Sequence, residues 1–257
     1  MFTYFSAQMK RVALEVQEYV LLTGSTFYAA FTRPFYRHDV IEQLDLIGFG
    51  SLAVVMLSGL FTGAALTLQS GMTLDQYGAR PVVGRLVSAS MIKELGPVLT
   101  ALMLTGRVGS GIAAELGSMV VTDQINALRA LGTDPIRKLV FPRVFAGLFM
   151  APVLTVISDF IGIAGGWMVA RYQLQVNSGL YWSSVTRSLY MADVWVGLIK
   201  PFVFGFIIVT IACHIGMRTT GGTAGVGKST TTAVVVGSVA VIAADYFVMQ
   251  ILTKLLY

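Results

Sequence analysis

The ten residues GGTAGVGKST, 221–230, decide between two very different folds for this chain. From Gly222 through Gly227, Lys228 and Ser229 they fit G-x-x-x-x-G-K-[ST], the loop that cradles phosphates in nucleotide hydrolases. Such a loop joins a buried strand to a helix in an α/β domain, and a metal-binding Asp follows at the end of a later strand. Only about 29 residues follow Lys228, and nearly all are apolar. Asp245 does end the run VAVIAAD, but it lies about 17 residues after Lys228, inside what reads as one helix. No room remains for the intervening strands. The stretch is therefore expected to be a tight turn between two membrane spans. Gly221, Gly222, Gly225 and Gly227 permit sharp backbone angles, and the Ser/Thr run before Ala233 is placed to cap the next helix. No nucleotide is expected on this chain.

The surroundings of that turn agree. Of 257 residues, 55% are hydrophobic and only 12% charged, and the mean hydropathy is +0.75. A soluble domain carries about 25% charged residues, so the composition belongs to the bilayer. The single cysteine, Cys213, allows no internal disulfide and reads as a small core residue. The net charge of +5 is read as cytoplasmic loops facing anionic lipid rather than as nucleic-acid binding. The N-terminus lacks a cationic start, apolar core and cleavage site in that order, so no cleavable signal peptide is expected.

Two regions follow from hydropathy. Residues 1–40 form an amphipathic segment. Val12, Val16, Tyr19 and Val20 recur at helical spacing among Lys10, Arg11, Glu15 and Glu18. Phe27, Tyr28, Phe31, Phe35 and Tyr36 come next, and Arg33, Pro34, Arg37 and His38 mark a cationic break. An interfacial helix is expected there, an ordinary cytosolic helix being the plainer alternative. Residues 41–257 hold about five spans: Leu46–Leu68, Ile92 to about Met119, Phe145–Val169, Val194–Ile215 and Ala233–Leu256. Each is near the roughly 20 residues that a bilayer core requires. The first carries Gly59 and Gly63 and the third Gly162 and Gly166, pairs four apart suited to close helix contact. The fold class is thus all-α and integral to the membrane, with an N-terminal interfacial helix.

Lys and Arg in short loops set the orientation. Lys10, Arg11, Arg33 and Arg37, then Arg129, Arg137, Lys138 and Arg143, then Arg218 and Lys228 share one side if there are five spans. That side should be cytoplasmic, with the N-terminus inside and the C-terminus outside. Arg80, Arg85, Arg171 and Arg187 on the other side make the bias moderate.

Between the second and third spans, TDQINALRALGTDP (122–135) reads as a short amphipathic helix. Thr122 or Asp123 is the N-cap, Ile125, Leu128 and Leu131 line one side, and Gly132 and Pro135 stop it. On the cytoplasmic side such a helix suits a groove on a soluble partner, a surface connection being the plainer alternative.

The stretches ELGPVLTALMLTGRVGSGIAAELG, TDQINALRALGTDPIRKLVFPRV and GGTAGVGKSTTTAVVV together resemble the MlaE permease family of ABC transporters, which includes Mce-associated and chloroplast lipid-import permeases. The likeness covers most of the chain from about residue 40 onward. In that family the third stretch is a Gly-rich turn, often with Arg where Lys228 stands, and not a nucleotide site. The resemblance implies a bacterial inner-membrane permease that carries phospholipid and supports outer-membrane lipid asymmetry. It implies a homodimer with two copies of a separate ABC ATPase, an MCE-domain hexamer outside, a STAS-domain protein on the ATPase, and no cofactor or catalytic residue in this chain. The short helix would be the coupling helix that enters the ATPase groove, with Asp123, Ile125, Asn126, Leu128, Arg129, Leu131 and Asp134 as its contact residues. Phospholipid would occupy an outward-facing cavity at the dimer centre.

Charges inside a membrane are costly and are paired or functional. Lys93 and Glu94, at the outer end of the second span, either line a lipid cavity and meet a headgroup or pair with neighbours. Leu66, Leu68, Met72, Leu99 and Met103 are its candidate apolar wall, though ordinary packing is the commoner role for such residues. Arg107 is expected to pair with Glu115, two turns away, or with a carboxylate on another helix. Asp159 and Asp245 are expected to hydrogen-bond across helices, and Lys200 to snorkel outward from a span end. An alternative function uses Asp159, Asp245 and Glu94 as the relay of a self-sufficient proton-coupled transporter. An intramembrane lipid enzyme lacks a visible nucleophile and base. His38 and His214 are isolated, and no residue spacing marks a metal site.

Overall fold

In hydrocarbon a backbone N–H or C=O has no water to turn to, so a chain this apolar closes its hydrogen bonds within helices. The computed structural model describes residues 2–30, 32 and 36–256, and every regular element among them is helical. The expectations placed on Phe31, Arg33, Pro34 and Phe35, and on the side chains of Arg11 and Val12, lie outside the described residues.

In chain order, α1 (Phe2–Ala30) precedes the long α2 (Arg37–Asp75). A 3-10 turn at Arg80–Val82 leads into α3 (Val83–Ser90), α4 (Gly96–Leu104) and α5 (Ser110–Val121), joined by π-helical turns at Met91–Leu95 and Thr105–Gly109. The short α6 (Gln124–Ala130) follows, then a π-helical turn at Ile136–Val140 that runs into α7 (Phe141–Tyr172). The chain ends with α8 (Ser178–Ser188), α9 (Met191–Met217) and α10 (Gly222–Leu256). Five continuous stretches among the described residues are long and apolar enough to cross a membrane: 37–75, 80–121, 136–172, 191–217 and 222–256.

Two of the π-helical turns have a local cause. Pro97 and Pro142 cannot donate to the carbonyls of Lys93 and Lys138, and their rings crowd those carbonyls. The turn just before each proline widens.

Contacts at glycines give the directions of the spans. Gly59 faces Ser158 and Gly63 faces the backbone of Gly162, while Gly166 faces Thr67, so α2 and α7 run parallel in nearly constant register. The two four-residue glycine pairs meet each other, and a Cβ at Gly63 would enter the Gly162 carbonyl. Gly109 against Ile208 and Gly216 against Ala113 make the second span and α9 parallel too. Alternate spans therefore run in the same direction. One end of the bundle carries α6 and the start of α10, and the opposite end carries α8.

The second span is longer than expected. Its helix reaches back to Arg80, which pairs with Asp75 across the intervening turn. Arg85 is thus on α3 rather than in a loop, and α3 buries Val83, Gly84 and Val87 beside Tyr181 of α8. Helix α8 has no counterpart in the sequence reading. Its signal was Asn177, whose Oδ1 accepts a hydrogen bond from the Gly179 N–H at 2.8 Å and caps the first turn. The Tyr181 hydroxyl donates to Ile163 O at 3.0 Å, and burial pushes the phenol above its usual range.

The opening motif is not a loop. Only Gly221 and Gly222 take positive φ, 90° and 65°; Gly225 and Gly227 are already inside α10. Ser229 and Thr230 to Thr232 are inside it as well, and do not cap it. Thr230 and Thr232 donate back to Val226 O and Lys228 O, both at 2.8 Å. The amides that would have to cradle a phosphate are committed to helix.

Helix α1 packs lengthwise along the α6-side end of α9. Glu18 pairs with Arg218 at 2.9 Å, Tyr19 bonds Thr210 at 2.8 Å, and Phe27 stacks on Phe206. Cys213 is buried in the larger of the two apolar cores, with Ile47, Leu116 and Ile208.

Candidate functional site

The first candidate is a chain of charges in the α8-side half of the bundle. Lys200 of α9 is fully buried, and its Nζ lies 2.8 Å from Glu94 Oε2 and 2.9 Å from Asp245 Oδ1. It does not snorkel outward as expected, because two carboxylates from other helices neutralise it in place. One residue before Glu94, Lys93 reaches Asp193 at 2.6 Å. Asp193 also accepts from the Tyr190 N–H at 3.3 Å, closing the capping box that starts α9. Lys93 and Glu94 sit on the π-helical turn before Pro97, so adjacent residues reach points two turns apart on α9.

Beside this network is a cavity of about 480 Å³. Glu94 and Asp245 line it together with Tyr246, Met249, Gln250 and Lys254. Of the residues expected to form a lipid cavity, Glu94 alone is here. Leu66 packs into the smaller core, Leu68 and Met72 lie on the outer face of α2, and Met103 is exposed on α4. Neither Lys93 nor Leu99 borders this cavity. Tyr246, Met249 and Gln250 carry no site signal in the sequence, since an apolar helix of this length places such residues against lipid as a matter of course.

The expected Arg107–Glu115 pair is absent. Arg107 Nη1 donates to Ser51 Oγ at 2.8 Å and Leu46 O at 3.2 Å, and Gly50 leaves the space its guanidinium fills. Glu115 instead meets Arg143 of α7 at 2.6 Å. Two helical turns separate Arg107 from Glu115 by about 12 Å, and the π-helical turn aims Arg107 at α2. Asp159 is buried against Gly96, and its Oδ1 has no hydrogen bond among the described residues. The cross-helix bond expected of it is missing at that atom. A proton relay through Glu94 and Asp245 has to contend with Lys200, which holds both.

The second candidate is α6. It is shorter than the stretch 122–135, spanning only Gln124–Ala130, and its anchor is Ile125, 4% exposed and packed in the larger core. Leu128 is half-buried against the same core, but Leu131 is 80% exposed and belongs to the open face with Asn126 and Arg129. Asp123 holds the N-cap position in a left-handed conformation (φ 58°) without a capping bond, and its Oδ1 accepts from Asn126 Nδ2 instead. Gly132 at φ 75° ends the helix in a Schellman motif, its N–H bonding Arg129 O and that of Thr133 bonding Leu128 O. Asp134 does not extend α6. It starts the next turn, accepting from the Ile136 N–H at 2.9 Å and pairing with Arg137. Around this hairpin Lys138 bridges to Asp39 at 2.5 Å and covers the Tyr36 ring, and Glu115–Arg143 ties α5 to α7. Structure also gathers His38 with Asp39 and Glu42, but on an open surface where Lys138 already takes the Asp39 carboxylate.

The family model for permease MlaE matches residues 40–251, from the start of α2 to near the end of α10. This chain belongs to the MlaE permease family. A probable ABC transporter permease protein of Rickettsia conorii is 41% identical over 244 residues, 95% of this chain and 94% of that one. The intermembrane phospholipid transport system permease protein MlaE of Haemophilus influenzae is 36% identical, over 83% and 82% of the two chains. The chloroplastic protein TRIGALACTOSYLDIACYLGLYCEROL 1 of Arabidopsis thaliana is 35% identical, over 88% of this chain and 65% of that one. The MlaE match contains the whole charge network and α6, and leaves α1 outside. The five spans and the family together make this a multi-pass membrane permease.

Proposed function

We propose that this chain is the membrane-spanning, non-catalytic subunit of an ATP-driven phospholipid transporter. The observation that carries the reading is α6: a short helix held at one buried residue and offering its remaining length to a partner, in a chain of the MlaE permease family. The names of relatives support the cargo and the motor, one being an intermembrane phospholipid transport permease and another a probable ABC transporter permease. In this reading two copies of the chain meet two copies of an ABC ATPase, which α6 couples to the bundle. The α6 side faces the cytoplasm of a bacterial inner membrane, as its Lys and Arg residues favour, and the C-terminus faces the periplasm. An MCE-domain hexamer exchanges lipid with the chain on the α8 side, a STAS-domain protein binds the ATPase, and nucleic acid has no part. The cavity at Glu94 and Asp245 is the proposed contact of this chain with a lipid headgroup, serving lipid trafficking and outer-membrane asymmetry.

Gentle extraction of the tagged chain, with mass spectrometry of its companions, tests the assembly. An ABC ATPase in near-equal amount is expected; a chain that purifies alone and drives lipid exchange from a proton gradient without ATP overturns the proposal. Substitution separates coupling from folding. Leu131→Asp and Arg129→Glu lie on the open face and are expected to weaken ATPase binding by about tenfold or more while the chain melts unchanged. Ile125→Asp is expected to lower the melting temperature, because it puts a carboxylate in the core. ATPase affinity unchanged in both open-face variants would remove α6 from the interface.

A further inference from the structure

On the α6 side a second cavity, of about 740 Å³, opens between α1, α9 and α10, and shares no lining residue with the one at Glu94. Its walls change character along their length. At the end of the bundle are Arg218 and Lys228, with Glu15 of α1 beside them; deeper in are Ile207 and Ile211 of α9 and Val236 and Ala240 of α10. From Arg218 to Ile207 is 11 residues, about 16 Å of helix, and from Lys228 to Ala240 is 12, about 18 Å. Half of a roughly 30 Å hydrocarbon core is about 15 Å. The groove therefore has the depth of one leaflet, with a charged rim at headgroup level, where Lys228 is the cation free of an ion pair among the described residues, and an apolar wall at acyl level.

We propose that this groove holds a phospholipid of the α6-side leaflet, its phosphodiester on Lys228 and one acyl chain along Ile211 and Val236. Charge picks out the contact. Arg218 is held by Glu18 at 2.9 Å, whereas Lys228 has no ion pair among the described residues and lines the cavity. Tyr19, against His214 and bonded to Thr210, closes the groove from the α1 side. The lysine that makes 221–230 look like a nucleotide loop thus still meets a phosphate, but a lipid's, from the side of a helix. The bound lipid fastens α1 to α9 and α10. This site needs only the chain in a bilayer and does not depend on an ATPase or on transport.

The test uses the full chain in vesicles of phosphatidylethanolamine and phosphatidylglycerol, doped with a phosphatidylethanolamine carrying a photoactivatable acyl chain. Cross-links mapped by peptide mass spectrometry are expected to concentrate at Ile207–Ile215 and Val236–Ala240, above the yield at the open α10 face of Ile242 and Phe247. Lys228→Ala should cut the groove signal about fivefold, and Lys228→Arg should restore it. Ile211→Trp should abolish it by filling the groove. Labelling equal at the groove and at Phe247, or indifferent to Lys228→Ala, overturns the proposal. So does cross-linking of the groove to a second copy of the chain. Lys228 is exposed, so its variants keep the test readable even if Ile211→Trp fails to fold.

Discussion

Lys200→Met is expected to destabilise the chain by about 3 kcal/mol and to reduce lipid transport to background. The lysine is fully buried, and it is the shared cation of Glu94 and Asp245. Removing it leaves two carboxylates facing each other across a low-dielectric gap. Glu94 is 40% exposed and Asp245 21%, so water relieves part of the penalty, and the figure sits at the low end of that for a broken buried pair. The sign can be checked within the same network. Combining Lys200→Met with Glu94→Gln and Asp245→Asn removes every charge, and the triple variant should melt near the parent. Transport should not return with it, because the cavity then has no charge to offer a headgroup. The measurement is thermal melting in detergent beside a lipid-exchange assay. A single variant that melts like the parent would show that the network does not hold α9 to α10.

Gly63→Leu is expected to prevent correct assembly of α2 on α7, at or beyond the upper end of the about 1–3 kcal/mol that overpacking costs. The reason is backbone, not side chain. Any Cβ at Gly63 points into the Gly162 carbonyl, and a carbonyl inside a helix cannot turn away without giving up its own hydrogen bond. Gly24 has no such neighbour. Gly24→Ala in α1 meets nothing within 4 Å and should cost nothing, or gain up to about 1 kcal/mol of helix propensity. Monodispersity on size exclusion and the melting temperature of both variants decide the matter. A Gly63→Leu chain that elutes and melts like the parent would mean that α2 and α7 are not in contact through this face.

The parts of the fold legible in the residues are those fixed locally. Run length and scarcity of charge mark the five spans, because a bilayer of fixed thickness demands both. The glycine pairs at 59/63 and 162/166 mark the two helices that approach most closely, and the structure sets them against each other. The sequence also showed a short helix before Gly132, since a residue at positive φ there is a local requirement. Less legible were α3 and α8, which cover each other and are too short and too mixed in polarity to stand out in a hydropathy reading.

The candidate sites divide in the same way. Lys93, Glu94, Arg107, Glu115, Lys200 and Asp245 were recognisable one at a time, because each is a charge where charge is costly. Their pairing was not. Lys200 and Glu94 are 106 positions apart, on different spans, and Asp245 comes from a third. Which carboxylate meets which cation depends on the azimuth of each helix, and the π-helical turns at 91–95 and 105–109 rotate that azimuth away from the regular 3.6-residue repeat. That is why Arg107 finds α2 and Glu115 finds Arg143. Leu131 faces out for a different reason: it is the C-cap of α6, six residues and so about 120° around the helix from Ile125. By itself the sequence determined that this chain lives in a membrane as helices and has no room for a nucleotide fold, since length, polarity and turn chemistry act over a few residues. Only the tertiary structure decided how its buried charges are shared, since Coulomb attraction depends on distances that no spacing along the chain records.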